Sequence, residues 1–166
     1  KLGKGVIVYC ENGVGLLSPF NQTFGFHELL SIGIPCKGAV GGDESSHVFV
    51  DNDNYLWQIG VDFKATRLGY QEFMESMKSD SLVVSLHPKL KEFHISDGVH
   101  SYVLTPFGLC KVYQRTSSIV SDGENTYGTF EPLIEDEELE ARITTDKIDL
   151  GVKGMKTIES LEFGME

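Results

Sequence analysis

The chain has 166 residues, 40% of them hydrophobic and 23% charged, with a mean hydropathy of −0.12. This is ordinary globular composition, so wholesale disorder is excluded, and no apolar run approaches the ~18 residues of a membrane-spanning helix. With 14 Lys and Arg against 25 Asp and Glu the net charge is −11, which argues against gripping nucleic acid through a basic, phosphate-binding surface.

The chain opens on Lys1-Leu2-Gly3-Lys4-Gly5, with no initiator Met and no apolar stretch of the signal-peptide kind. It reads as a fragment or processed piece of a longer polypeptide. Short β-rich runs bounded by turn residues follow. Val6-Ile7-Val8-Tyr9 leads into Glu11-Asn12-Gly13. Val48-Phe49-Val50 leads into Asp51-Asn52-Asp53-Asn54 and then Tyr55-Leu56-Trp57. Phe93-His94-Ile95 leads into Ser96-Asp97-Gly98 and then Tyr102-Val103-Leu104. Asn, Asp and Gly reach positive φ at little cost, so each unit is expected to be a β-hairpin.

The hairpins recur evenly: Val6 to Val48 is 42 residues and Val48 to Phe93 is 45. A second motif recurs behind them. Gly25-Phe26-His27-Glu28-Leu29-Leu30 matches Gly69-Tyr70-Gln71-Glu72-Phe73-Met74, with a weaker third copy at Lys111-Val112-Tyr113-Gln114-Arg115. A period of about 40–45 residues is that of four-stranded propeller blades. The fold expected is therefore all-β, a β-propeller-like array of four-stranded antiparallel blades forming an incomplete ring. Residues 1–34 are a partial first blade lacking its inner strand, 35–78 a second, and 79–120 a third. Residues 121–166 are an acidic loop followed by a divergent fourth blade or the start of an inserted β domain.

Within the second unit the strands are placed at Cys36 to Val40, His47 to Val50, Tyr55 to Ile59 and Thr66 to Phe73. Glu72 to Met77 is an alternative short helical turn. In the third they are placed at Leu82 to Leu86, Glu92 to Ile95, Ser101 to Leu104 and Leu109 to Gln114. Asp122 to Asn125 reads as a loop. Glu131 to Glu140 carries six carboxylates in ten residues and reads as a solvated tether. Strands are expected again at Ala141 to Asp146 and Thr157 to Phe163.

No catalytic motif stands out. Gly13-Val14-Gly15 is too short for a dinucleotide-binding loop and opens no helix. Asp51-Asn52-Asp53-Asn54 has alternating oxygen ligands, but a calcium loop starting at Asp51 needs Gly where Leu56 stands and Glu where Asp62 stands, so a tight turn is the simpler reading. His87, His94 and His100 lie within fourteen residues on adjacent strands and could supply zinc ligands, against the simpler role of lining a blade face. His27 and His47 have no partner that the sequence identifies. Cys10, Cys36 and Cys110 form no C-x-x-C pair and are odd in number, as expected of buried free thiols in a reducing compartment rather than a disulfide framework. Trp57 and the strand aromatics read as packing, with a carbohydrate-stacking platform as the alternative. Asp43-Glu44 and Asp51/Asp53 are the available carboxylate pairs for glycosidase-type chemistry. No residue is assigned a catalytic, cofactor-binding or metal-binding role, and no cofactor is expected.

The wording of the hairpins carries a resemblance. Residues 48–57, Phe93-His94-Ile95-Ser96-Asp97-Gly98, Tyr102-Val103-Leu104-Thr105 with Phe107-Gly108-Leu109, and Ile143 to Gly151 with Lys156 and Ile158 look like segments of the propeller-like tail nozzle and packaged-DNA stabilisation (tail hub) proteins of short-tailed bacteriophages. The likeness spans about residues 45–165, and no functional residue carries over from it. No Gly-His…Trp-Asp pair of the common WD class is present. The resemblance implies a non-enzymatic structural component of a virion tail, self-associating into a ring and contacting neighbouring tail and adaptor proteins. DNA would pass it without tight binding, its acidic wall repelling phosphate. The alternatives are a non-viral β-propeller that binds carbohydrate or protein, and a propeller glycosidase or lyase.

Overall fold

Short runs rich in Val, Ile, Phe and Tyr, each closed by Asn, Asp or Gly, fold as successive antiparallel meanders. The computed structural model describes residues 1–21, 23–112, 115–121 and 126–131. The first sheet holds β1 (Val6–Cys10), β2 (Gly13–Phe20) and β3 (Thr23–Leu30), in the order β1-β2-β3. A 3-10 turn at Lys37–Ala39 leads into the second sheet, β4 (Val40–Gly42), β5 (Ser46–Val50), β6 (Leu56–Gly60) and β7 (Ala65–Gly69), in sequence order. The one-turn helix α1 (Gln71–Met74) and a 3-10 turn at Ser79–Ser81 connect to the third. That sheet holds β8 (Val83–His87), β9 (Glu92–Ser96), β10 (Ser101–Thr105) and β11 (Gly108–Lys111), again in sequence order. β12 (Arg115–Ser121) and β13 (Thr126–Glu131) pair as a separate ribbon.

The second sheet is the middle layer. Val48, Phe49 and Val50 are consecutive and all fully buried, as are Leu56 and Ile59. Successive strand residues point to opposite faces, so a continuous buried run means that both faces are covered. His47 and Phe49 face the first sheet, where the Tyr9 ring meets Phe49 edge-on at 5.3 Å and the Tyr9 hydroxyl pairs with His47 Nδ1 at 3.0 Å. Burial raises the Tyr9 phenol pKa, so the hydroxyl keeps its proton. Val48, Val50, Leu56 and Gln58 take the other face and meet the third sheet, whose Leu82, Val84, Phe93 and Ile95 belong to the same core cluster. That contact is close at backbone level: a Cβ on Gly38 would lie 2.1 Å from the Leu82 carbonyl oxygen, and one on Gly41 would lie 2.3 Å from that of Val84.

Both central hairpins close on a buried aspartate. Asp51 follows β5 and accepts N–H bonds from Asp53 and Tyr55, each at 2.8 Å, on one carboxylate oxygen, while Trp57 Nε1–H donates to the other at 2.6 Å. Asp97 follows β9 and accepts from the backbone N–H of Val99 (2.8 Å), His100 (2.6 Å) and Lys78 (2.7 Å). A carboxylate that bonds the N–H two residues on is the Asx turn, and this explains why Asp, rather than any polar residue, stands there. Strands β5 and β9 are thus offset by 46 residues, and the structure equates Asp51 with Asp97 rather than Val48 with Phe93.

Several expectations are corrected. The meanders and their turns near Asp51–Asn54 and Ser96–Gly98 are present, but the propeller is not. The three sheets are separate and open, and none closes into a ring. A meander of about four five-residue strands and its turns occupies ~40–45 residues in any layered β architecture, so the period measured the unit and carried no information on closure. The resemblance to tail nozzle and hub proteins loses its basis with the ring. So do the roles built on it: virion tail structure, DNA conduit, carbohydrate- or protein-binding propeller, and propeller glycosidase or lyase. The repeat of Gly25 to Leu30 at Gly69 to Met74 also fails. The first copy lies inside strand β3, whereas in the second Gly69 (φ 85°) and Tyr70 (φ 60°) reverse the chain into α1. Strand Thr66 to Phe73 therefore stops at Gly69, and the short helical alternative is the one realised. The strand placed at Cys36 to Val40 is instead the 3-10 turn and β4, four residues later. The loop at Asp122 to Asn125, the acidic run after Glu131 and the strands at Ala141 to Asp146 and Thr157 to Phe163 lie outside the described residues, as does Tyr113-Gln114.

Candidate binding cleft

Where the second and third sheets splay apart at their outer strands they leave an open cleft of about 460 Å³. Gln58, Leu68 and Tyr70 line it from the second sheet and its exit, and Phe93, Leu104 and the turn Thr105-Pro106-Phe107-Gly108 from the third, with Lys91 at the edge. The volume lies in the range of small-ligand sites, about 300–1,000 Å³.

Local geometry fixes this wall. Thr105 Oγ1 donates to the Gly108 carbonyl at 3.1 Å and accepts the Phe107 N–H at 3.1 Å, which locks the β10–β11 turn. Gly108 takes φ 145°, a region open to glycine and strained for other residues. The result is that Phe107 stands 99% exposed at the rim. Tyr70 and Lys91 are two of the five non-glycine residues with positive φ among the described residues, and both line the cleft. Such conformations cost on the order of 1–3 kcal/mol each and persist where surrounding structure enforces them. For Tyr70, the enforcement is α1, whose Phe73 and Met74 N–H groups both bond the Tyr70 carbonyl. The Phe73 ring packs between Tyr70 (6.5 Å) and Tyr102 (5.8 Å).

Two of the polar side chains at the cleft, Lys91 and Gln58, are engaged with the second sheet. Lys91 Nζ bonds Asp43 Oδ2 at 2.9 Å, joining the two sheets at the surface. Burial alone would raise the Asp43 carboxyl. Hydrogen bonds from Ser45, Lys91 and the Ser46 N–H outweigh it and hold the group below the usual carboxylate range. Gln58 Nε2 donates to Ser46 Oγ at 2.9 Å.

The residues singled out in the sequence fall elsewhere. Asp51 and Asp53 form the Asx turn, with the Asp51 oxygens committed to backbone and indole donors. His87 and His94 are neighbours, with ring centroids 6.3 Å apart, but His100 lies beyond the far end of β9, on Asp97. The strand between spans roughly 3.3 Å per residue over Glu92–Ser96, so the three imidazoles do not converge. Among the described residues no group of three or more His, Cys, Asp or Glu is arranged to hold a metal ion. Cys10 and Cys110 are exposed, and Cys36 is half-buried with its thiol on the Leu82 carbonyl at 3.4 Å. All three are free thiols, but only Cys36 is turned toward the interior. Trp57 stacks on Phe49 at 6.4 Å inside the layer and offers no platform. Asp43 faces Lys91, while Glu44 pairs with Lys1 at 3.2 Å. Sequence reading missed the cleft altogether, because its walls come from positions 58 to 108 on separate strands. The one local signal was Thr105-Pro106-Phe107-Gly108, a turn sequence with an aromatic at its tip.

Protonation shapes the stability of these turns. Burial alone would raise Asp97, but the N–H donors of His100, Lys78 and Val99 and the His100 ring outweigh it and lower its pKa. Its contribution is therefore full above the unfolded value, about pH 4, and lost as pH falls through the lower folded value. Burial lowers His47 and His94. For His94, Nε2 has no hydrogen-bond partner, Glu92 opposes the shift and His87 reinforces it. Both rings fold neutral, so stability falls as pH drops below the unfolded histidine value of about 6.5. We expect the melting temperature, followed by circular dichroism, to be flat above about pH 7 and to fall in two stages on acidification. His94→Gln should shrink the first stage and Asp97→Asn the second. A melting temperature that rises between pH 7 and 5 would contradict the histidine assignments, and one that does not fall below about pH 4 would contradict that of Asp97.

No known protein-family model matches the chain, and no curated protein matches it closely.

Proposed function

We propose that this chain is a non-catalytic recognition module whose inter-sheet cleft receives a bulky apolar side chain of a peptide partner. The observation that carries the reading is the fully exposed Phe107, on a hydrogen-bonded turn, at the rim of a cleft walled by Leu68, Tyr70, Phe93 and Leu104. A phenylalanine left in water forgoes about 2–3 kcal/mol of burial, which a partner closing over it recovers. Exposed aromatics beside apolar pockets are the usual anchors of interfaces. With Lys91, Gln58 and Thr105 engaged, the cleft offers mainly apolar contact, with the Tyr70 hydroxyl as its polar group, which favours a peptide side chain over a sugar. The ten lining residues include no Asp, Glu, His, Cys or Ser, and Lys91 and Thr105 are held by Asp43 and by the β10–β11 turn, which supports a non-enzymatic role.

The test is a randomised heptapeptide array probed with the intact chain, with binders titrated in solution. Enrichment of peptides bearing Leu, Met, Phe or Trp is expected. Phe107→Ala, at a position that packs on nothing, should weaken them by roughly 30-fold, a hot-spot effect. Binding unaffected by Phe107→Ala, or no enrichment at all, would overturn the reading.

A further inference from the structure

The first sheet presents a second feature that the cleft does not use. β1 pairs with β2 only as far as Val6↔Leu17, so the β2–β3 hairpin overhangs it from Ser18 through Gly25. On one face of this overhang, register places Leu17 and Pro19 opposite Phe26 and Phe24. Phe24 is 69% and Phe26 63% exposed, and Phe20 on the opposite face is 64% exposed. The outer edge of β3 is also unpaired: among the described residues, no backbone hydrogen bond outside the sheet reaches Thr23–Leu30.

An unpaired edge is a template for another strand, and proteins ordinarily blunt it with shortness, Lys, Arg or Pro. Three other outer edges of this molecule follow that rule. β7 has five residues with Arg67 at its centre, and β11 has four and ends on Lys111. β4 lies with Gly41 against the β8 backbone. β3 is eight residues long and carries neither Lys, Arg nor Pro.

We propose that β3 pairs with β3 of a second copy of this chain, antiparallel about a two-fold axis at Gly25. Such an axis, perpendicular to the sheet, sets Gly25 opposite Gly25, Phe24 opposite Phe26 and Thr23 opposite His27. Directly opposed residues share a face, so the Phe24 and Phe26 rings of both copies gather into one aromatic cluster over a six-stranded sheet. Glu28, the only charged side chain on the strand besides His27 when protonated, falls at opposite ends of the shared ladder. The Phe24 and Phe26 rings of each copy offer about 250 Å² of apolar surface, roughly a third of the ~800 Å² that a standard interface takes from each partner. The backbone edge and flanking side chains supply the remainder. Gly25 suits the axis: a Cβ there would meet nothing nearer than 3.5 Å, so the backbones approach closely without the fold depending on the absence of a side chain.

Sedimentation equilibrium on the intact chain tests this. The mass should rise from 18.4 kDa toward twice that value across the micromolar range. Added NaCl should shift the balance further toward dimer, because two surfaces of net charge −11 are screened from each other. Gly25→Lys sets two ammonium groups across the axis, and Phe24→Lys breaks the cluster. Each should weaken association at least tenfold while circular dichroism and melting temperature show a folded chain. Val99→Lys, at an exposed apolar residue on the β9–β10 turn, should leave it unchanged. A wild-type chain that stays at 18.4 kDa, a dimer undiminished in both β3 variants, or one abolished by Val99→Lys would each overturn the proposal.

Discussion

Asp51→Ala is expected to lower the free energy of unfolding by about 3–5 kcal/mol, a third or more of the ~5–15 kcal/mol available to a domain of this size. Asp51 is 1% exposed. Its carboxylate accepts the N–H groups of Asp53 and Tyr55 and the indole N–H of Trp57. Alanine removes the acceptor and leaves these donors in place, and each donor left unsatisfied away from water costs on the order of 1–3 kcal/mol. Water reaching the outer end of the turn should recover part of this. The Trp57 donor lies deepest, since its ring stacks on the fully buried Phe49. Asp51→Asn keeps one acceptor oxygen, so it should satisfy either the backbone pair or the indole, and lose roughly half as much. Urea unfolding monitored by Trp57 fluorescence checks the order alanine, asparagine, wild type. Equal stability of Asp51→Ala and wild type would show that the turn is held by its strands rather than by the carboxylate.

Asp51 also shows what was legible in the sequence. The turn was, since Asp and Asn between two β-branched and aromatic runs specify a hairpin through local chemistry alone. Its equivalence to Asp97 was legible too, at an offset of 46, but alignment on the hydrophobic residues put the register one residue away. Other positions needed tertiary context. Gly41-Gly42 reads locally as a break, and the strand expected at Cys36 to Val40 ends before it. In the structure Gly41 lies within β4, because the neighbouring β8 backbone leaves no room for a side chain. Glycine for close approach and glycine for a turn look alike in one sequence. The likeness of Gly25 to Leu30 and Gly69 to Met74 is the converse case. Similar residues became strand in one place and a reversal with helix in the other, because the fully buried Met74 and the Phe73 contact with Tyr102 reward a turn there. Closure into a ring is a global property of sheet twist and stacking that no local motif encodes. The cleft belongs to the same class, since it exists only where two sheets diverge.

Gly41→Ala should be strongly disruptive, because its methyl would collide with the backbone of the neighbouring sheet. The position needs no special φ, so the effect is purely steric. The added Cβ would sit 2.3 Å from the Val84 carbonyl oxygen, 2.7 Å from its carbon and 3.2 Å from the Ser85 nitrogen. These are backbone atoms of β8, which is itself paired to β9 over all five of its residues, so no flexible side-chain end can give way. Relief requires the second and third sheets to move apart, opening the packing of Val48 and Val50 against Val84 and Ile95. Overpacking of this kind typically costs about 1–3 kcal/mol, and rigid backbone on both sides places Gly41→Ala at the upper end. Gly25→Ala is the internal control, since its methyl makes only ordinary van der Waals contacts, none nearer than 3.5 Å. The two variants therefore separate loss of backbone freedom, which alanine would turn into a gain of about 0.4–1 kcal/mol through the unfolded state, from collision between layers. A urea midpoint for Gly41→Ala at or above that of Gly25→Ala would mean that β4 and β8 are not in backbone contact in solution. Because the cleft opens from the same inter-sheet seam, Gly41→Ala should also weaken any peptide that Phe107 anchors, although Gly41 itself does not line the cleft.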